Sequence, residues 1–314
     1  MTRSRPRRLT LTVWAMTLLA GALIAATLAG CGDGGSENGA PATGTFPVTV
    51  TDDAGREVTI DARPERIVSL APANTEIVAA LGATDRLVGV TTLCDYPPEV
   101  AAIEKMGDFV QPNLEAIAAV DPDLVLVTTG VQTEIIDKLE GLGASVVAVD
   151  PQSLEEVYAS IATVGDAIGE PGAAAGVVES MRLQIGQVSD SVESAPVRCF
   201  IEIAQDPLFT AGAGTLMNEL IEVAGGENVV TEEGYVAYSI EQLVQADPAV
   251  YLATKGSMSD PTDIDERPGY ANMTAVEEGR VFVLDDNLVS RPGPRLAEGV
   301  LQIARALHPE SFAE

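Results

Sequence analysis

Short apolar runs alternate with amphipathic stretches along the chain from Phe46 onward. Uninterrupted aliphatic runs predict buried strands, whereas apolar residues at helical spacing predict helices. Elements that alternate in this way are typical of α/β layering, in which helices cover both faces of parallel sheets. At the start of this pattern, β-branched residues at 48–51 and 58–60 flank a turn sequence at 53–55 and predict a hairpin.

Two segments of equal length, which begin at Asn113 and Ser239, can be laid over each other without a gap. Asn113 and Ser239 can each cap a short helix, and Glu115 or Glu241 lies in its first turn, where the helix dipole favours an acid. An Asp-Pro pair then ends each helix before a buried strand. We therefore expect each half of the protein to carry the same subdomain.

The halves also agree upstream of this repeat. A strand at 67–71 leads to a helix predicted over 77–81, and a strand at 198–204 leads to a helix predicted over 216–224. A glycine follows each helix, as helix ends often require.

Residues 171–193 lie between the halves and carry no strand signal. Pro171 can begin a helix, and apolar spacing continues through the segment, so we expect one long helix here. The predicted fold is α/β: two α/β lobes, at 47–170 and 194–314, with central sheets flanked by helices, joined by this single helix, and with the ligand cleft between them. A single rigid helix permits little hinge motion, so we expect a largely pre-formed cleft.

The first residues have the parts of a secretory signal: four arginines, an apolar run at 9–28 and small residues before Cys31. The stretch resembles a bacterial lipoprotein signal, which implies that residues 1–30 are removed and that Cys31 is lipidated. The polar segment at 31–46 would be a flexible tether that holds the protein at the outer face of the cell membrane. A transmembrane anchor is the alternative, but the run is short for a span. Export by the general secretion or the twin-arginine route stays open.

Composition restricts the partners. Without the signal, 14 Lys and Arg stand against 47 acids, a net charge of −33, which repels nucleic acid and anionic lipid head groups. The single histidine, His308, argues against a zinc or manganese receptor and against histidine-based catalysis. The sequence also has no nucleophile elbow, phosphate loop or close metal-ligand cluster, so we expect no catalytic or metal site and no cofactor. Cys94 and Cys199 either pair or stay apart.

Five motifs carry a resemblance to a known family. They are SLAPANTE at 69–76, DYPP at 95–98, PNLE at 112–115, GGEN at 225–228 and RPGPR at 291–295. From about Arg66 to Ala306 the chain resembles the solute-binding proteins of ABC importers for cobalamin, iron-siderophores and haem, and most closely the cobalamin branch. The resemblance implies a monomeric, non-enzymatic protein that captures cobalamin or a related corrinoid and delivers it to a permease and ATPase complex.

The resemblance also implies site residues. It assigns ligand binding to Phe109, Phe209, Tyr235, Asp286, Arg291 and Tyr96, and permease docking to the acids Glu76 and Glu227. Aromatic side chains suit a flat, apolar macrocycle because they offer much contact area and lose little rotamer entropy. The sequence departs from the cobalamin pattern in two ways. Phe109 and Tyr235 stand where tryptophan is usual, and the interval from Asp286 to Arg291 is one residue longer.

Two alternatives remain open at this point. A ferric siderophore or haem receptor of the same family would use Arg291 and Arg295 to hold carboxylate or catecholate oxygens, with Tyr96, Tyr235 and Tyr238 as haem contacts. The second alternative is an enzyme rather than a binding protein: an exterior chelatase-like enzyme with a similar bilobal fold. The lack of a histidine in the predicted cleft speaks against the enzyme.

Overall fold

The computed structural model describes residues 43–192, 194–255 and 258–312. The predicted signal peptide, the lipidation site at Cys31 and most of the tether lie outside these residues. The described residues belong to one compact unit, within which two four-stranded parallel sheets form the centres of two lobes.

The N-terminal lobe contains a hairpin, one parallel sheet and its covering helices. Its strands are β1 (Val48–Thr51), β2 (Glu57–Ile60), β3 (Ile67–Ser69), β4 (Leu87–Val90), β5 (Leu124–Val127) and β6 (Ser145–Ala148). Its α-helices are α1 (Pro72–Ala80), α2 (Leu114–Ala119), α3 (Ile136–Glu140) and α4 (Leu154–Ile168). Short 3-10 helices cover Thr84–Arg86, Pro98–Ala102 and Gly130–Ile135. The predicted hairpin is β1 with β2, and the other strands pair in parallel in the order β4-β3-β5-β6.

The helix α5 (Pro171–Ser191) leads into the C-terminal lobe. The strands of this lobe are β7 (Val197–Glu202), β8 (Ala204–Gln205), β9 (Leu208–Ala211), β10 (Gly226–Asn228), β11 (Tyr235–Ala237), β12 (Val250–Lys255) and β13 (Val281–Asp285). Its α-helices are α6 (Leu216–Val223), α7 (Ile240–Ala246), α8 (Thr274–Glu277), α9 (Asp286–Val289) and α10 (Leu296–Leu307). Short 3-10 helices cover Pro261–Glu266 and Pro309–Phe312. The parallel sheet has the order β10-β7-β12-β13, and β11-β9-β8 form a separate antiparallel sheet.

The repeat predicted from the sequence corresponds to the same substructure in both lobes. Asn113 caps α2 and Ser239 caps α7, each by accepting hydrogen bonds from backbone amides of the first turn. At the end of each helix an aspartate adopts the left-handed conformation, Asp121 with φ 44° and Asp247 with φ 45°. The chain then enters β5 or β12, the third strand in the order of each parallel sheet.

The first helix differs from its prediction. It begins at Pro72 and ends at Ala80, whereas the apolar pattern predicted a helix over 77–81. Proline is favoured at the first helical position because its φ is fixed near the helical value and its missing N–H is not needed there. The polar residues after Pro72 therefore belong to the helix, and Glu76 lies in its middle rather than ahead of it.

One hydrophobic core runs through both lobes. In β5, Leu124 and Leu126 point into this shared core, and in β12, Val250 and Leu252 do so. The alternate residues of each strand point to the opposite face, where a separate cluster fills each lobe. Since successive side chains of a strand point to opposite faces, each sheet contributes one face to the shared core and one to its own lobe.

The linking helix α5 belongs to the layer that joins the lobes. It packs against α4 of the first lobe and α10 of the second, and its residues Met181, Ile185 and Val188 are buried in the shared core. Opening the cleft widely would expose this apolar surface to water, which is unfavourable. None of the described helices, α5 included, is both long and apolar enough to cross a membrane.

The cysteines Cys94 and Cys199 are buried and free, one in each lobe. Burial raises the pKa of the Cys199 thiol to about 12, so it stays protonated at neutral pH. The sequence left open whether Cys94 and Cys199 form a disulfide, and in the structure they are unpaired.

We predict that the lobes unfold together because they share a core. Leu252→Ala should lower the free energy of unfolding by about 2–5 kcal/mol, since it leaves a cavity at a fully buried position. Leu183→Ala, at an exposed position of α5, should change it by about 0.5 kcal/mol or less. Differential scanning calorimetry should show a single transition in both variants. Separate transitions in Leu252→Ala, one of them at the original temperature, would contradict a shared core.

Candidate functional site

The segments that follow the carboxyl ends of the parallel strands are rich in exposed apolar side chains. In open α/β sheets this edge is the usual place for a ligand. Of the ten large hydrophobic residues that are exposed in the described part of the chain, six lie in these segments: Leu93, Tyr96, Val110, Val131, Tyr235 and Met258. Both lobes contribute, so the cleft between them has an apolar rim.

The C-terminal lobe has an open cavity of about 670 Å³ at this edge. It is lined by residues that follow β7 and β12: Ile203, Ala204, Gln205, Asp206, Pro207, Phe209, Met258, Ser259 and Asp260. In the antiparallel sheet Phe209 pairs with Ala237, and Tyr235 pairs with Ala211. Directly paired residues share a face, as do residues two apart, so Phe209 and Tyr235 lie on the same face of this sheet. Two of the aromatic residues assigned to ligand binding thus share a sheet face, and Phe209 also lines the cavity.

Tyr235 presents much of its ring to solvent, with 49% of its surface exposed. Its hydroxyl lies near the backbone of Met217, and burial of that end raises the pKa of Tyr235. The phenol therefore stays protonated and uncharged at neutral pH.

A buried carboxylate supports the wall of the cavity. Glu202, at the end of β7, is fully buried and accepts hydrogen bonds from the hydroxyls of Tyr251 and Ser259 and from Arg267 Nη1 at 2.6 Å. Burial opposes the charge of Arg267, but the hydrogen bond and the charge of Glu202 raise its pKa. Arg267 also donates to the carbonyl oxygen of Asp260 at 2.7 Å. Glu202 and Arg267 together thereby hold the segment that carries three of the cavity residues, Met258, Ser259 and Asp260.

The N-terminal lobe holds Phe109 at the tip of a loop. The backbone amides of Val110 and Gln111 donate to Asp108 Oδ1, which closes the turn. Gln132, a fully buried side chain, donates from Nε2 to the carbonyl oxygens of Phe109 at 2.7 Å and Leu70 at 2.8 Å. The half-buried Phe109 is thus held beside the exposed Val110, at the carboxyl-end side of the sheet. Gln132 was not predicted from the sequence.

An ion-pair cluster joins the lobes at the edge of the cleft. Glu76 of α1 is only 3% exposed, and its Oε1 accepts hydrogen bonds from Arg291 Nη1 at 2.8 Å and Arg295 Nη2 at 2.7 Å. Glu76 Oε2 accepts from Arg295 Nε at 2.8 Å, so the contact with Arg295 is bidentate. Arg291 Nη1 also donates to Asp95 Oδ1 at 2.6 Å, and the guanidinium of Arg295 lies 4.0 Å from the centre of the Tyr96 ring.

The pKa directions agree with this pairing. The hydrogen bond from Arg291 lowers the pKa of Asp95, although partial burial opposes this. Burial acts to lower the pKa of Arg291, but its hydrogen bonds to Asp95 and Glu76 raise it overall. The hydrogen bond to Glu76 raises the pKa of Arg295. Asp95, Arg291 and Arg295 are therefore charged at neutral pH. The cluster pairs two acids with two arginines.

Glu76, to which the resemblance assigns permease docking, is buried between two arginines of its own chain. Glu227 is exposed, but it lies on β10, whereas Glu76 lies on α1. The counterpart of β10 in the order of the other sheet is β4, so these acids do not occupy corresponding places in the two lobes.

Asp286 and Arg291, both assigned to ligand binding, have separate partners within the chain. Asp286 begins α9 and accepts a hydrogen bond from the Ser290 hydroxyl, while Arg291 is held by Glu76 and Asp95. Tyr238 packs against Phe200 with ring centroids 5.7 Å apart and belongs to the border of the C-terminal core. Among the described residues, no three His, Cys, Asp or Glu side chains are grouped closely enough to hold a metal ion.

Comparisons with known proteins agree with this architecture. The sequence profile described as periplasmic binding protein matches residues 67–288. An uncharacterized ABC transporter substrate-binding lipoprotein of Bacillus subtilis is 37% identical over 315 residues, which cover 96% of this chain and 98% of the relative. A cobalamin-binding protein of Halobacterium salinarum is 30% identical over 283 residues, which cover 84% of this chain and 75% of the relative.

A solved structure extends the likeness to the fold. The crystal structure of a periplasmic haem-binding protein from Pseudomonas aeruginosa matches with a TM-score of 0.72 and 28% identity, and the match covers 78% of this chain and 93% of that chain. The α/β fold class predicted from the sequence is confirmed.

We predict that the buried ion pair behind the cavity is essential for stability. Arg267→Ala leaves the Glu202 carboxylate buried without its counter-ion, which should lower the free energy of unfolding by about 3–5 kcal/mol. Asp263→Ala removes an exposed partner from the same arginine and should cost about 1 kcal/mol or less. Urea denaturation of both variants compares the two effects. Equal effects would contradict the assigned role of Glu202.

Proposed function

We propose that this chain, which belongs to the periplasmic binding protein family, captures cobalamin or another corrinoid in its interlobe cleft and delivers it to an ABC permease. The observation that carries the proposal is the apolar rim, to which both lobes contribute exposed side chains, together with the cavity of about 670 Å³ in the C-terminal lobe. The proposal for the ligand rests on this surface and on the chemistry of a corrinoid.

The general function, binding of a solute for an ABC transporter, follows from the family. The chain is the substrate-binding component of an ABC transporter, in a group whose members include cobalamin-binding and haem-binding proteins. Members of this family bind solutes for transport and catalyse no reaction, so the chain is not an enzyme.

A corrinoid suits the cleft for two reasons. Its ring is large and flat, and the rings of Phe209 and Tyr235 lie on one face of a sheet beside the cavity. Aromatic side chains bind such a surface with little loss of conformational entropy. The edge of a corrinoid carries mostly neutral amides, which need hydrogen-bond partners rather than counter-ions. The cleft arginines Arg291 and Arg295 are already paired with acids.

Haem is the second candidate ligand. Tyr96 is exposed at the rim, and a phenol oxygen can ligate haem iron. Haem carboxylates, however, would have to compete with Glu76 for the arginines. An anionic ferric siderophore meets the same difficulty.

We also infer that lipid on Cys31 anchors the protein to the outer face of the cell membrane. The basic, apolar and small-residue order before Cys31 supports this inference, as does the description of the Bacillus subtilis relative as a lipoprotein.

We predict that the purified chain binds cyanocobalamin and that the aromatic face carries much of the affinity. Tyr235→Ala and Phe209→Ala should each weaken binding by about 1–3 kcal/mol, because each removes a buried anchor of the complex. Leu183→Ala, an exposed position on α5, serves as the control and should bind normally. Calorimetric titration with cyanocobalamin, haem and a ferric siderophore measures these affinities. Binding of haem or the siderophore without binding of cyanocobalamin would overturn the corrinoid assignment.

Delivery requires a surface that a permease can reach on both lobes. The repeated unit supplies one, because Glu115 and Glu241 lie in the first turns of α2 and α7, at equivalent positions, and both are exposed. An exposed acid on each lobe can pair with basic residues of a permease that contacts both lobes. We therefore propose this pair for docking in preference to Glu76, with Glu227 retained as the competing candidate.

We predict that Glu115→Ala with Glu241→Ala abolishes uptake of the ligand into cells that carry the cognate permease. Each acid that becomes desolvated at the interface should contribute about 2–5 kcal/mol to docking. Glu227→Ala is the matched comparison, as an exposed acid outside the repeat. Normal uptake by the double variant, or loss of uptake in Glu227→Ala alone, would refute the assignment.

A further inference from the structure

The charges of the interlobe cluster, Glu76 with Asp95 and Arg291 with Arg295, bear on which ligands the cleft accepts. The arginine side chains are about 15% exposed, at 14% for Arg291 and 15% for Arg295, so each retains an accessible edge. Two free guanidinium groups at this position would form a strong site for carboxylate or catecholate oxygens. In this structure the Glu76 carboxylate instead accepts hydrogen bonds from Nη1 of Arg291 and from Nε and Nη2 of Arg295.

The geometry points to Glu76 as a specificity-determining residue. We propose that Glu76, by pairing with Arg291 and Arg295, withholds both guanidinium groups from the ligand, so that the cleft favours uncharged ligands over anionic ones. This inference rests on the proposed function, because it requires that the ligand occupies the interlobe cleft. Beyond the proposed function, Glu76 is then the residue that sets which ligand charge the cleft accepts.

Two other basic residues, Arg267 and Lys255, lie near the cavity. Arg267 is paired with Glu202 behind the cavity wall. Lys255 ends β12, and its charge acts on Asp260, an acid that lines the cavity. An anionic ligand would meet the acids Asp206 and Asp260 in the cavity lining and arginines that are already paired with acids. Replacing a bidentate ion pair by a ligand contact gains little, because one charge-assisted contact is exchanged for another.

Glu76→Gln tests the proposal because it keeps the size of the side chain and removes its charge. The probes are cyanocobalamin, which is uncharged overall, and the ferric tris-catecholate complex, a trianion. In Glu76→Gln the ratio of their dissociation constants should shift about tenfold or more in favour of the trianion, since Arg295 loses its acid partner and Arg291 keeps only Asp95. Raising the salt concentration should reduce this shift.

The matched control is Glu170→Gln. Glu170 also holds two arginines, accepting from Arg63 Nη2 at 2.7 Å and Arg86 Nη2 at 3.1 Å, but its partners lie within the N-terminal lobe and outside the cluster. This variant should leave the ratio unchanged. Adding Arg291→Ala and Arg295→Ala to Glu76→Gln should abolish the gain, which identifies the released arginines as its source.

A second variant keeps the test valid if Glu76→Gln does not fold. Asp95 is 58% exposed, and Asp95→Asn removes one of the two acids from Arg291 without disturbing a buried group. A shift of the same sign and about threefold is expected from the loss of an exposed partner. Circular dichroism establishes that each variant is folded before binding is measured.

The outcomes separate this inference from the proposed function. Absence of cyanocobalamin binding in the unmodified chain would refute the corrinoid proposal. The role of Glu76 would then be decided by comparing the dissociation constant of the trianion for the unmodified chain with that for Glu76→Gln. Normal cyanocobalamin binding together with no gain for the trianion in Glu76→Gln would overturn the inference alone. Persistence of the gain after both arginines are replaced would overturn it as well.

Discussion

The helix layer shared by the two lobes is the constraint on which the rest of the structure depends. A parallel sheet must be covered on both faces, and here one face of each sheet is covered by the same continuous core, which includes α5 and α10. This arrangement fixes where the carboxyl ends of the two sheets lie relative to each other. The apolar rim, the cavity and the ion-pair cluster all lie in segments that follow those ends, so their positions are consequences of how the sheets are covered.

The polar groups near the cleft follow a common rule. A charge that is buried there has its partner on the same chain: Glu202 has Arg267, and Glu76 has Arg291 and Arg295. The first pair supports the cavity wall, and the second joins the lobes and neutralises the cleft edge. What remains accessible to a ligand is largely apolar. The two arginines of the interlobe cluster are thus paired with acids, in a chain whose full-length net charge is −29.

The sequence predicted the fold more completely than the site. Periodicity and the repeat at Asn113 and Ser239 predicted the layers and the duplication, because strand and helix patterns are local. The partners of Glu76 lie 215 and 219 positions away, so no local pattern could indicate its burial. The burial of Glu202, by contrast, was predictable from the sequence. An acid inside the apolar strand 198–204 requires a buried partner, so its position predicts an ion pair there.

The most direct test of this account is a crystal structure of the chain with cyanocobalamin. The account predicts that the corrin ring contacts Phe209 and Tyr235 on one lobe and the apolar rim of the other, with the hydrogen bonds from Arg291 and Arg295 to Glu76 intact. A ligand whose oxygens replace Glu76 on these arginines would contradict the account of a neutral cleft. A ligand bound away from the interlobe edge would contradict it entirely.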